Sequence, residues 1–557
     1  MRANQIAKTA SDRIDKGSEG VQFRSPMTNK ATANQGKEVY KELRTQSWET
    51  LWTAEVPAFD AGAPEYRLSR VGLVRAIGVV ALRKATKEQR AQTKQWLMSL
   101  LQDPQEKVRR YAMAALPKLG GNEESERALL ELLDAERDER EVKHLSRTLD
   151  KVGGAATLEK LQGLDDAEEI RLQTEQKVKA KLARSEQPSA VRLDAKMGQA
   201  RGLRIHLRTR RGLETFVRDE LQAHPKLKDR FKLLKVSAGC VAISPTAGFT
   251  LKELYQLRTV GSINFVLGVV PTSKAVDITA IAKIIASPLT QRLCSKLTDG
   301  QPRYRLKFMR SKVSHGKTQA VVNAAFALRP DLLNDPRQSP WAVDVHPEKV
   351  GNSIELRPRV SPDPRFLYRA DDVPASTHPP LAAAMAQLAG QAENEVVWDP
   401  FCGSGLELIE RSLLGKVQAL VASDIDAKAT EVAQKNLEKA GCSAETVTVQ
   451  TSDFRKHRSI EGVASQSVSL IITNPPLGRR VRVADMQGLF EEIFKVASIN
   501  LCPGGRLVIL NPLKIENPNP YLKLESRHIV DVGGFDVRLE KWVKFAGLRG
   551  RREKDDG

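Results

Sequence analysis

Between residues 395 and 441 the chain reads as strand, glycine loop, helix, strand, acid, helix, and few folds accept that order. An apolar strand over 395–398 ends at Asp399 and enters the loop Pro400, Phe401, Cys402, Gly403, Ser404, Gly405. Glycines let backbone approach a ligand closely and take turns barred to other residues. The helical stretch LELIERSLLG follows, then the strand ALVASDID and the helical stretch AKATEVAQKNLEKAG. This alternation predicts a doubly wound parallel sheet, whose ligands lie outside the carboxyl ends of the strands. A dinucleotide fingerprint would want a third glycine, and position 408 is Leu.

The rest of the chain changes period several times. With 557 residues it is too long for one core. Residues 1–55 carry GSEG, Pro26 and NKATANQGKE with little apolar periodicity, which predicts a disordered tail. Residues 56–185 read as helices. Leu116, Leu119 and Gly120 recur as Leu149, Val152 and Gly153, an offset of 33 residues. A helix, turn and glycine recurring at that period predicts stacked helical hairpins. Residues 186–200 read as a linker, and 201–365 mix strand and helix periods. There GLRIHLRTR, FKLLKVSAGCVAI and NFVLGVV are strand-like, while GLETFVRDELQAH and ITAIAKIIAS are helical. Residues 366–550 form the α/β segment.

The formal net charge of +20 makes a polyanion the first partner to consider. Arg303, Arg305, Lys307, Arg310 and Lys312 alternate along one strand and its exit, a stripe suited to phosphates across an RNA helix. The five cysteines are scattered without a CxxC pair, so neither a zinc ribbon nor a disulfide framework is expected. No stretch of about 18 apolar residues is present, so no membrane span is expected. A reducing, cytoplasmic location fits both observations.

DPFCGSG closely resembles the first motif of class I methyltransferases acting on nucleic-acid amino groups, and SLIITNPPLGRRV resembles their N-P-P-Y/F motif. Looser matches lie upstream: R-G-L-E at Arg211–Glu214, L-x-x-L-x-x-L-R at Leu251–Arg258 and R-x-K-x-x-R at Arg305–Arg310. Together they resemble the THUMP-containing RNA guanine-N2 methyltransferases, over roughly 200–550. The N-terminal helices resemble HEAT repeats, including Asp103, Pro104, Val108, Arg109 and Ala112, and are an addition to that family's layout. The expected fold is multidomain: an α-helical repeat region, an α+β THUMP-like RNA-binding region and a C-terminal α/β Rossmann-like class I methyltransferase domain.

The resemblance implies S-adenosyl-L-methionine as methyl donor and structured RNA, tRNA or large-subunit (23S-type) rRNA, as partner. It assigns Asp399, Phe401, Gly403 and Gly405 to the donor's methionine end. Asp424 or Asp426 would hold the ribose hydroxyls, Ile425 would flank the adenine, and Asp453 would accept from the adenine amine. Asp426 could instead cap the helix beginning near Ala427, and Asp453 could be an ordinary turn residue.

Asn474, Pro475, Pro476 and Leu477 would form the catalytic motif. A guanine N2 or adenine N6 amine is conjugated and weakly nucleophilic. It needs an acceptor for one N–H and a fixed line of attack on the sulfonium methyl. Asn474 Oδ1 and the Pro475 carbonyl supply acceptors, and two prolines stiffen that backbone. No metal is expected, because the sulfonium is already activated. Leu477 stands where the family usually has Tyr or Phe against the extruded base.

Arg479, Arg480 and Arg482 would hold phosphates around that nucleotide, with Arg305, Lys307 and Arg310 further along the RNA. Guanine N2 is the expected target. Adenine N6 would suit the same motif, and a non-catalytic RNA-binding or ribosome-assembly protein is the rival of another class. The helical segment is expected to dock a protein partner.

Overall fold

The computed structural model describes residues 37–134, 138–162, 169–186, 188–198, 202–273, 275–349, 351–374, 376–479, 482–515 and 518–545. The tail over 1–36, the RGRREKDDG terminus and Arg480 lie outside them. The chain divides into two compact units, residues 1–178 and 179–557.

The first unit is helical throughout its described residues. Gly72–Lys84, Glu106–Ala115 and Glu139–Val152 pack in succession, and Glu123–Glu131 packs on Ala155–Gln162. In both series a helix packs against the one two places along the chain. Charged pairs join successive layers. Arg109 donates from two guanidinium nitrogens to Glu141, at 2.6 and 2.8 Å, and Arg67 pairs with Asp103. Glu126 accepts from the Gly154 and Thr157 amides at the start of Ala155–Gln162. The folded unit begins earlier than the expected tail allows. Residues 37–43 are helical, and Val39, Leu43, Trp48 and Leu51 are buried in the helical core. Four apolar side chains removed from water outweigh the polar residues between them.

In the second unit, residues 188–358 form an eight-stranded sheet with helices. The strand order is Phe231–Ser237, Cys240–Pro245, Ile205–Arg208, Ser262–Pro271, Gly351–Pro358, Trp341–Pro347, Arg303–Phe308, Leu333–Asn334. The expected linker is part of this fold. Ala190–Val191 pairs antiparallel with Thr298–Asp299, Met197 pairs with Phe249, and Leu193 and Ala195 pack on the core. Val191, Leu193, Ala195 and Met197 alternate with polar residues, so one face of the segment is apolar.

The C-terminal part of this unit is a second sheet. Its strands are β1 (Val396–Asp399), β2 (Ala419–Asp424), β3 (Val447–Thr451), β4 (Val468–Thr473), β5 (Leu501–Asn511), β6 (Leu522–Asp531) and β7 (Asp536–Lys544). Its helices include α1 (Pro379–Ala389), α2 (Leu406–Leu414), α3 (Ala427–Lys439) and α4 (Met486–Asn500). The order is β3-β2-β1-β4-β5-β7-β6. β1 to β5 run parallel, and β7 is antiparallel to both neighbours. Helices cover both faces, so the central strands are apolar on both sides. Leu470 and Ile472 of β4 enter one core, while Ile471 enters the other with Trp398, Phe490 and Phe494.

The two sheets of this unit are tied by the motifs read at Arg211–Glu214 and Leu251–Arg258. Asp531 N–H donates to the Arg211 carbonyl at 2.9 Å. Gly212 has φ +96°, and a Cβ there would stand 1.9 Å from the Ile529 carbonyl oxygen.

Candidate active site

The sheet order reverses beside β1, and the loop after β1 opens there. Gly403 (φ +50°) and Gly405 (φ +79°) both need the left-handed region, and Gly405 caps the start of α2. Asp399 at the end of β1 is fully buried. Its Oδ1 accepts from the Phe401 amide at 3.1 Å and the Thr473 hydroxyl at 2.7 Å. Its Oδ2 is buried with no partner. Burial, then the nearby Glu407 carboxyl, pushes the Asp399 carboxyl well above the ordinary range. Burial also pushes Glu407 up, to about 7.

At the end of β2, Asp424 accepts from the Gly403 and Asp426 amides, each at 3.0 Å, so it braces the glycine loop. Asp426 accepts from the Lys428 amide at 3.0 Å and caps α3, as the sequence allowed. Between them Ile425 is 74% exposed, the most exposed of the large apolar side chains among the described residues. An isoleucine held in water by two braced aspartates marks a surface that an apolar ligand face would cover. After β3, Asp453 caps the turn that follows and pairs with Arg455 at 3.2 Å. The Phe401 ring packs against Phe454, with centroids 4.9 Å apart.

β4 delivers Asn474, Pro475, Pro476 and Leu477 on the same side of the sheet. Asn474 Nδ2 donates to Thr377 Oγ1 at 2.8 Å. Asn474 Oδ1 is buried with no partner. Leu477 packs partly buried against the core of the α1–α3 face. Gly478 (φ +79°) turns the chain, and Arg479 stacks on Phe535, 4.3 Å from the ring centre. Arg482 is exposed.

Thr377 and Asn436 of this site escaped the sequence reading. Buried Thr377 donates its hydroxyl to Glu407. Asn436 of α3 is buried, accepts from the Ala370 and Asp371 amides and donates to the Ser404 carbonyl at 2.9 Å. It thereby staples the glycine loop to the segment before α1. Burial, then Arg210, Arg369 and Arg365, push His378 down to about 4, so it is neutral and a weak base.

Arg305, Lys307 and Arg310 lie in or beside the Arg303–Phe308 strand of the other sheet, and all three are exposed. Arg303, read as part of the same stripe, is instead 2% exposed and lies 3.8 Å from Asp335. Its register puts it where the strand meets the core, out of reach of phosphate. Among the described residues, His206, Glu348 and Glu355 are close enough to share a metal ion. Arg208 donates to both glutamates, so a guanidinium already holds the cation's place.

Residues 367–529 match the family described as RMKL-like, methyltransferase domain. The match begins before α1 and ends in β6, enclosing the glycine loop, Asp424 and Asn474. These residues form a class I methyltransferase domain.

The chain is 32% identical over 201 residues to the tRNA (guanine(10)-N2)-dimethyltransferase of Methanothermobacter thermautotrophicus, covering 36% of this chain and 52% of that protein. It is 31% identical over 174 residues to the enzyme of the same name from Methanocaldococcus jannaschii, covering 30% and 47%. The chain thus spans about half the length of these curated relatives. The crystal structure of TrmN from Thermus thermophilus aligns with 62% of this chain and all of its own, with a TM-score of 0.48 and 22% identity.

S-adenosylmethionine is the methyl donor of this domain class, and the methyltransferase domain fits it on three observations. The buried Asp399 Oδ2 is unpartnered and can accept from a cationic ligand, and a Cβ added at Gly403 would meet nothing nearer than 3.8 Å, so the loop leaves room for close approach. The water-exposed Ile425 matches a purine face.

Proposed function

We propose that the protein transfers the methyl group of S-adenosylmethionine to the N2 amine of a guanine in structured RNA, either tRNA or rRNA. The carrying observation is Asn474 Oδ1, a buried amide oxygen left without a partner at the end of β4. An unsatisfied buried acceptor is costly unless a ligand satisfies it. An exocyclic N–H is the donor that this motif serves. The names of the curated relatives support guanine N2 as the amine.

The residues divide the work. Asp399, Gly403, Gly405 and Phe401 hold the methionine end of the donor. Asp424 takes the ribose hydroxyls with its remaining lone pairs, because Asp426 is engaged at its helix N-terminus. Ile425 covers one adenine face and Asp453 accepts from its amine. Asn474 Oδ1 and the Pro475 carbonyl accept from the target amine, directing the nitrogen lone pair at the methyl. Pro476 stiffens the turn, and Leu477 covers the base without an aromatic face. The rate gain is positional and electrostatic. Arg479 and Arg482, with Arg305, Lys307 and Arg310, contact RNA phosphates. The N-terminal helices offer a HEAT-like docking surface to a protein partner.

The test is transfer of labelled methyl from S-adenosylmethionine to purified tRNA and rRNA by the full chain, followed by nucleoside analysis. Label in N2-methylguanosine supports the reading. Label in N6-methyladenosine replaces guanine by adenine. Donor binding without transfer to either RNA favours the non-catalytic reading.

A further inference from the structure

Thr377, Glu407 and Asn474 come from three separate places in the chain and meet in one hydrogen-bonded line. Thr377 lies just before α1, Glu407 on the first turn of α2, and Asn474 after β4. Thr377 and Glu407 are 7% and 3% exposed. A hydroxyl has a single proton. That of Thr377 is donated to Glu407 Oε1, so toward Asn474 the Thr377 oxygen acts only as an acceptor. The Asn474 amide is therefore held with its NH2 end on Thr377 and its oxygen end free. Reversal would place the amide oxygen against a hydroxyl lone pair and leave a donor, not an acceptor, facing the target amine.

We propose that Glu407 is a positioning residue for methyl transfer, fixing through the Thr377 hydroxyl which end of the Asn474 amide faces the reacting amine. The inference rests on the reading that Asn474 accepts from that amine. It adds a residue that touches neither donor nor base. It also gives a role to a carboxyl that is buried on the first turn of α2.

The relay carries a protonation state. Ionised Glu407 is an acceptor only and holds the Thr377 proton. Neutral Glu407 can donate to Thr377, whose own proton is then free to bond Asn474 Oδ1 and turn the amide around. Burial raises the Glu407 carboxyl to about 7. The groups facing it are Asp399 at the end of β1, Cys402 in the glycine loop and Glu410 on its own helix, with Asp424 beyond Asp399. Asp399 accepts from Phe401 and Thr473 rather than from Thr377, so the line to Asn474 runs through Glu407.

The experiment compares full-length wild type with Thr377→Val, Thr377→Ser and Glu407→Gln, reading kcat, kcat/KM against pH, donor affinity by calorimetry and the thermal midpoint. Wild-type kcat/KM falls as pH drops below about 7. Thr377→Val loses roughly tenfold to hundredfold in kcat with donor affinity within about twofold, as expected for one misdirected buried hydrogen bond. Thr377→Ser keeps the hydroxyl and stays within about threefold. Glu407→Gln lowers kcat, keeps a folded midpoint and loses the acid limb. Wild-type kcat and an unchanged pH profile in both Thr377→Val and Glu407→Gln would overturn the positioning role alone. A wild type inactive on RNA would overturn the functional reading and, with it, the role assigned to Glu407.

Discussion

Arg258 donates to both carboxylate oxygens of Glu410, at 2.7 and 2.8 Å, joining the end of the Leu251–Arg258 motif to helix α2 of the methyltransferase domain. Glu410 is 1% exposed and also accepts from the Tyr368 hydroxyl, while the guanidinium stacks near Phe366. The fork-shaped pairing is directional, so it specifies how the end of this motif meets α2. Removing the arginine leaves a buried carboxylate uncompensated. Arg258→Ala is expected to lower unfolding free energy by about 3 kcal/mol, measured by denaturant titration. Replacing both partners by apolar residues costs less than the single change.

Asn474→Ala removes the unpartnered acceptor without touching the glycine loop. We expect kcat to fall on the order of 10²-fold while S-adenosylmethionine binding stays within a few-fold. Steady-state transfer and calorimetry separate the two. Equal losses in both would place Asn474 in donor binding instead.

The pH dependence of donor binding follows from Asp399, whose carboxyl burial raises well above the ordinary range, while Glu407, raised as well, adds to the pH dependence of stability. A group that holds its proton more tightly when folded contributes stability below its unfolded pKa and loses it as pH rises through the folded value. For Glu407 that window runs from the usual 4.5 to about 7. A cationic donor favours the ionised forms and expels protons on binding. Its affinity is therefore expected to tighten as pH rises from 6 toward 8, and calorimetry in buffers of different ionisation enthalpy reads the proton release.

Gly212 and Gly403 both require positive φ, yet their substitutions should differ. At Gly403 an added Cβ meets nothing nearer than 3.8 Å, so Gly403→Ala costs only the roughly 1–2 kcal/mol of its backbone conformation and weakens donor binding. At Gly212 the Cβ would collide with the Ile529 carbonyl. Gly212→Ala is expected to destabilise more than Gly403→Ala, and thermal unfolding of the two variants decides it.

The legible parts of this chain were those whose partners lie close in sequence. Asp399 to Gly405 and Asn474 to Leu477 are contiguous motifs at strand ends, and alternating strand and helix periods fixed the sheet between them. Thr377, Glu407 and Asn436 were not legible, because their roles arise from contacts 30, 97 or 66 residues away. Composition misled twice. The polar surroundings of Val39, Leu43, Trp48 and Leu51 hid a buried helix face, and VRLDAKM read as a linker although every second residue is apolar. Arg303 shows the converse. Its place in an alternating basic run says which face it shares, and only the fold shows that this end of the face is covered.

Arg305 and Lys307 keep that face in solvent. Replacing both by Ala is expected to weaken binding of structured RNA without changing base preference. The slope of log affinity against log salt should drop by about one for each lost phosphate contact. Filter binding across a salt series measures it.

The most direct test of the central claim is mass analysis of nucleosides from tRNA and rRNA, purified separately, in cells with and without this protein. The account predicts that N2-methylguanosine falls in one of the two pools and returns with the wild-type chain but not with Asn474→Ala. Unchanged N2-methylguanosine in both pools would contradict it.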